Sequence, residues 1–381
     1  MLGYAEIEKL RRVCAPGPVV LSLYLAVPLD PVRIGGLAAE ATELMANAAG
    51  LAGGSQGEER GAARVGHADR EAVLDALAAH GRDWLGHTVA FFACRELGLF
   101  EALPLPCLLP DRAAVMSRPY IRPLLAAVQR CPDYRVAIAD REHARVLSVR
   151  CGQVETMATQ VDRGPRSSGF GGWYGLQAHR IQRRIIELGR HHYRDTAAIL
   201  AQAAAGGHVP LVIGGHRDSI AGLLRALPPA AREAFAGSFH ADPHTLTEAG
   251  VRELADPVIG DWVARREREL ADEVVAGPPG RLAAVGLPAC LAAVSRGAVD
   301  RLLVPDEGMM PGFACDRCGA LSAVRGGCPG CGTAARPVPD LLEEMVQRTL
   351  DDGGQVTVVR DAPFSVAAKL RFPVTAEGSG R

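Results

Sequence analysis

Lysine is almost missing from this 381-residue chain: Lys9 and Lys369 are the only two, in a Lys+Arg total of 42. Nearly every cation is therefore arginine. With abundant Ala and Gly, that skew fits a GC-rich genome and does not by itself indicate nucleic acid. The formal net charge is only −1, which excludes a generally basic coat protein, so any RNA contact must come from a local patch. A long apolar run is lacking as well. The stretch from Val19 is broken by Ser22 and Pro28 before it could span a bilayer, and Met1 to Val13 reads as a charged amphipathic start rather than a signal peptide. A cytoplasmic location with no membrane partner is expected. In that reducing setting the ten cysteines form no disulfide framework. Cys14, Cys94, Cys107, Cys131, Cys151 and Cys290 are scattered among apolar neighbours and read as small core residues. No repeat at a fixed period is present, and the length exceeds one ordinary core, so two or three domains are expected.

Three blocks emerge, at 1–132, 133–257 and 258–381. The first holds a strand over Val19 to Val27, a helix from Arg33 to Ala49, a glycine-rich interruption, a helix near Arg70 to Leu77 and a strand over Thr88 to Cys94. It closes on RPYIRPLLAAVQR, a proline-punctuated entry into a helix. The second opens with alternating segments Tyr134 to Asp140 and Ala144 to Arg150, which predict a hairpin, then a strand over Val154 to Thr159. A long helix follows to Ala205, and then a short strand, Val209 to Ile213. The third holds a charged helix over Asp261 to Val275, a helix to Arg296, a strand at Arg301 to Val304, a helix over Leu341 to Leu350, and strands at Gln355 to Val359 and Ala367 to Phe372. Strands alternating with helices give an α/β class throughout.

Chemistry concentrates in two places. The first is RGPRSSGFGGWYGLQAHRIQRRIIELGRHHYR, residues 163–194. Gly171 and Gly172 permit backbone angles closed to other residues and a close approach to a ligand. Trp173 follows, a flat ring that can stack on an unpaired base. Behind it Arg180, Arg183, Arg184, Arg190, His191, His192 and Arg194 make one helix face cationic, with Arg166 in the loop before it. Ile181, Ile185, Ile186 and Leu188 are expected to hold the opposite face to a core. His191 and His192 point about 100° apart on a helix and do not readily share one ion.

The second place is Cys315-x-x-Cys318 followed by Cys328-x-x-Cys331. Two such knuckles supply four thiolates to one tetrahedral ion, which predicts a compact structural zinc site over 315–331. Two further features read as ordinary structure. The turn Gly214-Gly215-His216-Arg217-Asp218-Ser219 lacks the lysine of a P-loop. Asp133, Asp140, Glu142 and Glu155 show no pattern suited to a two-metal nuclease.

Taken in order, these pieces resemble the bacterial branch of the archaeo-eukaryotic peptide release factor family, kin to class-one release factors and Pelota. The likeness rests on the hairpin, the Gly-Gly loop and Arg-rich helix, the inserted CDRCGALSAVRGGCPGCG module and the RPYIRPLL segment. It implies a three-domain, tRNA-mimicking α/β architecture that enters the ribosomal A site, meets rRNA and P-site peptidyl-tRNA, and engages a translational GTPase. Release factors carry Gln where this chain has Trp173. An indole has one donor, no acceptor and too much bulk to hold water against an ester. Hydrolysis, if retained, would fall to Gly171, Gly172 and Gln177. The expected role is therefore ribosome rescue, quality control or hibernation, with a peptidyl-tRNA hydrolase or a non-ribosomal RNA-binding protein as alternatives.

Overall fold

The computed structural model describes residues 3–14, 19–52, 66–150, 152–162, 176–204, 209–276 and 282–374. The chain divides into two compact units, one built from residues 1–130 and 266–381 and the other from 131–265.

The first stretch of the larger unit runs α1 (Tyr4–Arg11), β1 (Val20–Ala26), α2 (Ile34–Ala52), α3 (His67–His80), β2 (Thr88–Cys94), β3 (Leu99–Pro104), β4 (Arg112–Met116) and α4 (Arg122–Arg130). Its sheet has the order β3-β2-β1-β4, antiparallel throughout. Every residue of β2 is buried, which is why its uninterrupted apolar run was readable as a strand. β3, mostly half-exposed, is interrupted by Glu101, and β4 is buried only over Ala114 to Met116.

The smaller unit contains β5 (Tyr134–Ala139), β6 (His143–Arg150), β7 (Gln153–Val161), α5 (Leu176–Ala204), β8 (Leu211–Gly215), α6 (Arg217–Ala226), α7 (Pro229–Glu233), β9 (Phe235–His240) and the part of α8 (Glu248–Ala276) before residue 266. The sheet order is β7-β6-β5-β8-β9. The β5–β6–β7 meander is antiparallel, while β5, β8 and β9 run parallel. Alternation along β5 divides the core: Ala137 and Ala139 pack with Tyr193, Ala197 and Leu200 of α5 and Ile220 and Leu223 of α6. Val136 and Ile138 pack with Val251, Ala255 and Ile259 of α8. Gly214 and Gly215 finish β8 rather than forming a loop after it. A Cβ on Gly214 would lie 2.5 Å from the Phe239 ring, and one on Gly215, at φ +145°, 2.5 Å from the Ala139 carbonyl oxygen.

Position 258, where the third block was expected to begin, lies inside α8, which also contains Pro257. The larger unit resumes at residue 266 within α8 and continues with β10 (Ala283–Val285), α9 (Leu287–Ser295), β11 (Val299–Pro305), β12 (Gly312–Ala314), β13 (Leu321–Ser322), β14 (Arg336–Val338), α10 (Leu341–Asp351), β15 (Gln355–Val359) and β16 (Ala367–Leu370). Two sheets form, β10-β16-β11-β15 and the small β13-β12-β14.

The first and last stretches of the chain share one core. Tyr24, Phe92, Tyr120 and Leu124 lie in the same buried cluster as Leu302, Val304, Leu341 and Met345. The RPYIRPLL segment joins them through polar bonds. Arg122, with no exposed surface, donates to Asp340 Oδ2 (2.8 Å), to Tyr120 Oη (2.8 Å) and to the carbonyls of Pro305 (3.0 Å) and Gly308 (2.6 Å). Glu343 accepts from the backbone N–H groups of Ile121 and Arg122 at 3.0 and 3.1 Å, and from Gln347 at 2.9 Å. Among the described residues no helix is long and apolar enough to cross a membrane.

Candidate nucleic-acid interface and metal centre

Helix α5 changes character along its length. Gly189, His192, Tyr193, Thr196, Ala197 and Leu200 are buried, an i, i+3, i+4, i+7, i+8 stripe that anchors the helix to the sheet. Before Gly189 the described side chains face solvent. Arg183, Arg184, Ile186, Glu187 and Leu188 are all exposed, with Ile186 at 50% and Leu188 at 40%. The expectation that Ile186 and Leu188 hold this part to a core is corrected, since both are exposed, while the side chains of Ile181 and Ile185 lie outside the described residues. Arg190 and Arg194 extend the exposed cationic surface towards the anchored part. Gln177 and Arg180 lie within α5, though their side chains fall outside the described residues, as do Arg166, Gly171, Gly172 and Trp173.

The end of β7 is tied to α5 by a contact that periodicity did not reveal. Asp162, the residue after β7, accepts from His192 Nδ1 at 2.6 Å and from Gln160 Nε2 at 2.7 Å, and its own N–H donates to the Glu142 carbonyl at 2.7 Å. The His192 hydrogen bond, chiefly, holds the Asp162 carboxyl below the usual carboxylate range. The His192 side chain is fully buried, which corrects its placement on the cationic face. His191 stays exposed and pairs with Asp195 at 2.9 Å. The single sequence signal was position: His192 falls at the start of the stripe that Tyr193 and Thr196 continue.

The four cysteines converge. Sγ of Cys315 lies 3.5 Å from Cys331 and Sγ of Cys318 3.3 Å from Cys328, and ligand atoms of all four fall within 4.8 Å of one another. A tetrahedral ion with metal–sulfur bonds of about 2.3 Å sets its sulfurs about 3.8 Å apart, so the cluster has the required size. The two knuckles are built alike. Gly319 and Gly332, at φ +71° and +74°, turn the chain after the second cysteine of each, and their N–H groups donate to the carbonyls of Cys315 and Cys328 at 2.8 and 2.9 Å. β12 and β13 frame the first knuckle, and β14 follows the second. Thr333 Oγ1 lies 3.3 Å from Cys315 Sγ and 3.0 Å from Cys331 Sγ. That hydroxyl, ahead of backbone donors, brings the Cys315 thiol down to about 6 and lowers Cys331 too. At Cys318 the Ala320 N–H acts in the same sense, but hydrogen bonds with Cys328 and Cys331 push the thiol up to about 12. Four thiolates this close repel one another, and a divalent cation is what allows all four to ionise together.

Among the six other cysteines the core expectation holds for Cys94 and Cys290, which are buried. Cys107 and Cys131 are half-buried, Cys14 is exposed, and Cys151 lies outside the described residues.

Comparison with known proteins converges on the unit that carries α5. The model described as bacterial archaeo-eukaryotic release factor family 10 matches residues 119–259. Among solved structures, the archaeal translation termination factor aRF1 aligns at 16% identity over 97% of this chain and 97% of its own, with a TM-score of 0.26. Archaeoglobus fulgidus Pelota aligns at 14% identity over 77% of this chain and 81% of its own, with a TM-score of 0.37. A model of ribosome-bound archaeal Pelota with ABCE1 aligns at 16% identity over 98% and 95%, with a TM-score of 0.41. Identities and scores this low carry no functional weight. Among curated proteins none matches the chain. Residues 119–259, which include the hairpin and α5, are thus similar to the bacterial archaeo-eukaryotic release factor family, in the branch described as family 10.

Proposed function

We propose that this chain is a ribosome-associated translation factor of the release factor and Pelota type, occupying the A site as a tRNA mimic in rescue, quality control or hibernation. The observation that carries this reading is the exposure of Arg183, Arg184, Ile186, Glu187 and Leu188 on α5, between Gly171-Gly172-Trp173 in sequence and the anchored half of the helix, within the segment matched by the family. Arginines there neutralise phosphates of rRNA or tRNA. The exposed Ile186 and Leu188 give the same stretch apolar area for a macromolecular surface. Trp173, where release factors carry Gln, directs the role towards occupancy rather than ester hydrolysis, and a translational GTPase is the delivery partner that the family resemblance implies.

Co-sedimentation tests the reading. The chain should pellet with ribosomes at low salt and be released as salt rises; absence of binding in every ribosomal state would overturn it. Release of labelled peptide from stalled ribosomes separates occupancy from hydrolysis: no release is expected. Release abolished by Gln177→Ala would assign the hydrolase role to that residue. The ion of the cysteine cluster is zinc in a closed structural site, where metal binding contributes on the order of 10 kcal/mol to local folding. Elemental analysis of purified protein should find one zinc per chain, lost in Cys328→Ser.

A further inference from the structure

A second cluster of metal-type side chains sits on the smaller unit, far in sequence from the cysteines. Asp140 follows β5 directly, His143 opens β6, and His244 comes shortly after β9. All three therefore lie at the end of the sheet where the parallel strands β5, β8 and β9 terminate, the end at which α/β sheets bind ligands. Their ligand atoms fall within 4.8 Å of one another. His244 Nε2 is 2.8 Å from Asp140 Oδ2, and His143 Nδ1 is 3.6 Å from Asp140 Oδ1. The two imidazoles meet edge to face with centroids 4.9 Å apart.

The arrangement is held from outside. Asp140 Oδ1 accepts the N–H groups of Glu142 and His143 at 2.7 and 2.6 Å, which fixes the carboxylate. Arg145 donates to the carbonyls of Leu246 at 2.6 Å and Pro243 at 3.4 Å, and Asp242 Oδ1 accepts the His244 N–H at 3.0 Å, which together fix the segment bearing His244. Outer contacts of this kind orient metal ligands. One atom is left over. Nδ1 of His143 is sealed from solvent and has no hydrogen-bond partner among the described residues, although a buried ring nitrogen is ordinarily satisfied.

We propose that Asp140, His143 and His244 bind a divalent transition-metal ion of the zinc or cobalt kind. Nitrogen and oxygen ligands at about 2.0–2.2 Å from such an ion stand about 3–3.5 Å apart, and the separations seen here bracket that range. Two imidazoles and one carboxylate select against magnesium and calcium, which require oxygen ligands. Three protein ligands, with both imidazoles part-exposed, leave coordination positions open to water or a small anion. The ion would tie the β5–β6 turn to the segment after β9. His143 pairs across the sheet with Val161, so the site adjoins the point where β7 ends and the chain enters residues 163–175. This assignment stands whether or not the chain enters a ribosome.

Titration of the full chain with Co²⁺, the cysteine site already loaded, tests it. A saturable equivalent should appear, with weak visible d–d bands and none of the intense thiolate charge-transfer absorption of a cysteine site. His143→Ala/His244→Ala should abolish that equivalent while leaving the cysteine-bound metal in place. His244→Gln, a single change at an exposed position, should lose the same signal. Arg145→Ala should weaken it about 10–100-fold. A simple hydrogen-bonded triad predicts no saturable cobalt beyond the cysteine site, and that result, or equal binding by the double variant, would overturn the proposal.

Discussion

Arg122 and the arginines of α5 share a side chain and almost nothing else. Arg122 has no exposed surface and is bonded to a carboxylate, a phenol and two carbonyls. Arg183 and Arg184 are exposed on a stretch of helix whose apolar residues Ile186 and Leu188 are exposed as well. Desolvating a guanidinium is costly unless its donors are matched, and once matched it resists removal of any partner. An exposed guanidinium contributes little to folding but keeps its charge available to a polyanion. The chain therefore uses one residue type for cohesion in the larger unit and leaves it exposed to solvent in the smaller.

Three measurements can break or sharpen that contrast. The largest effect is expected for Arg122→Ala, which leaves Asp340 buried without its cation. Chemical denaturation should show a loss of about 3–5 kcal/mol, and a loss within the surface range would refute the buried network as a source of cohesion. Next comes Glu343, whose carboxyl burial pushes up to about 7 from an ordinary value of 4.5, against the lowering effect of the Ile121 N–H. A raised folded-state value favours the neutral acid in the native protein. The contribution is therefore full below about pH 4.5 and is lost as pH rises to about 7, a span of at most about 3 kcal/mol. Glu343→Gln should flatten that slope. At pH 5 it should cost about 1–3 kcal/mol, because an amide cannot accept from both backbone donors. The smallest stability effect is expected for Arg183→Gln/Arg184→Gln, within about 0.5 kcal/mol. The same pair should lower the salt dependence of ribosome binding by about one unit of log–log slope per arginine. If it unfolds the protein instead, the division of roles fails.

Much of this was legible from residues alone, and the exceptions have physical causes. Strands β2, β5, β6 and β15 carry alternating or wholly apolar patterns that admit few readings, and β2 occupies the predicted Thr88–Cys94 span. The paired CxxC spacing predicted the cysteine cluster because four thiols in two short turns have few other arrangements. β3 escaped notice because it is only partly buried, and the first half of α8 because Pro257 reads as a break. Proline inside a helix removes one backbone bond and is tolerated where packing compensates; Ala255 and Ile259 on either side of it are buried. The sharing of one core by the first and last stretches had no local signature. It depends on pairs such as Arg122 with Asp340, 218 residues apart. His244 joining Asp140 is the same kind of fact. Residues 163–175, the heart of the sequence argument, lie outside the described residues.

Gly189 sits between the exposed Ile186 and Leu188 and the buried stripe of α5, and a Cβ built there would meet nothing within 4 Å. Space, then, does not demand the glycine. A glycine inside a helix softens it by about 1 kcal/mol relative to alanine, which makes this the natural point of bending. From Gly189 back to Leu176 the helix extends about 20 Å at 1.5 Å per residue. A bend of about 10° at Gly189 would carry a point about 20 Å along the axis through about 3 Å, the length of a hydrogen bond.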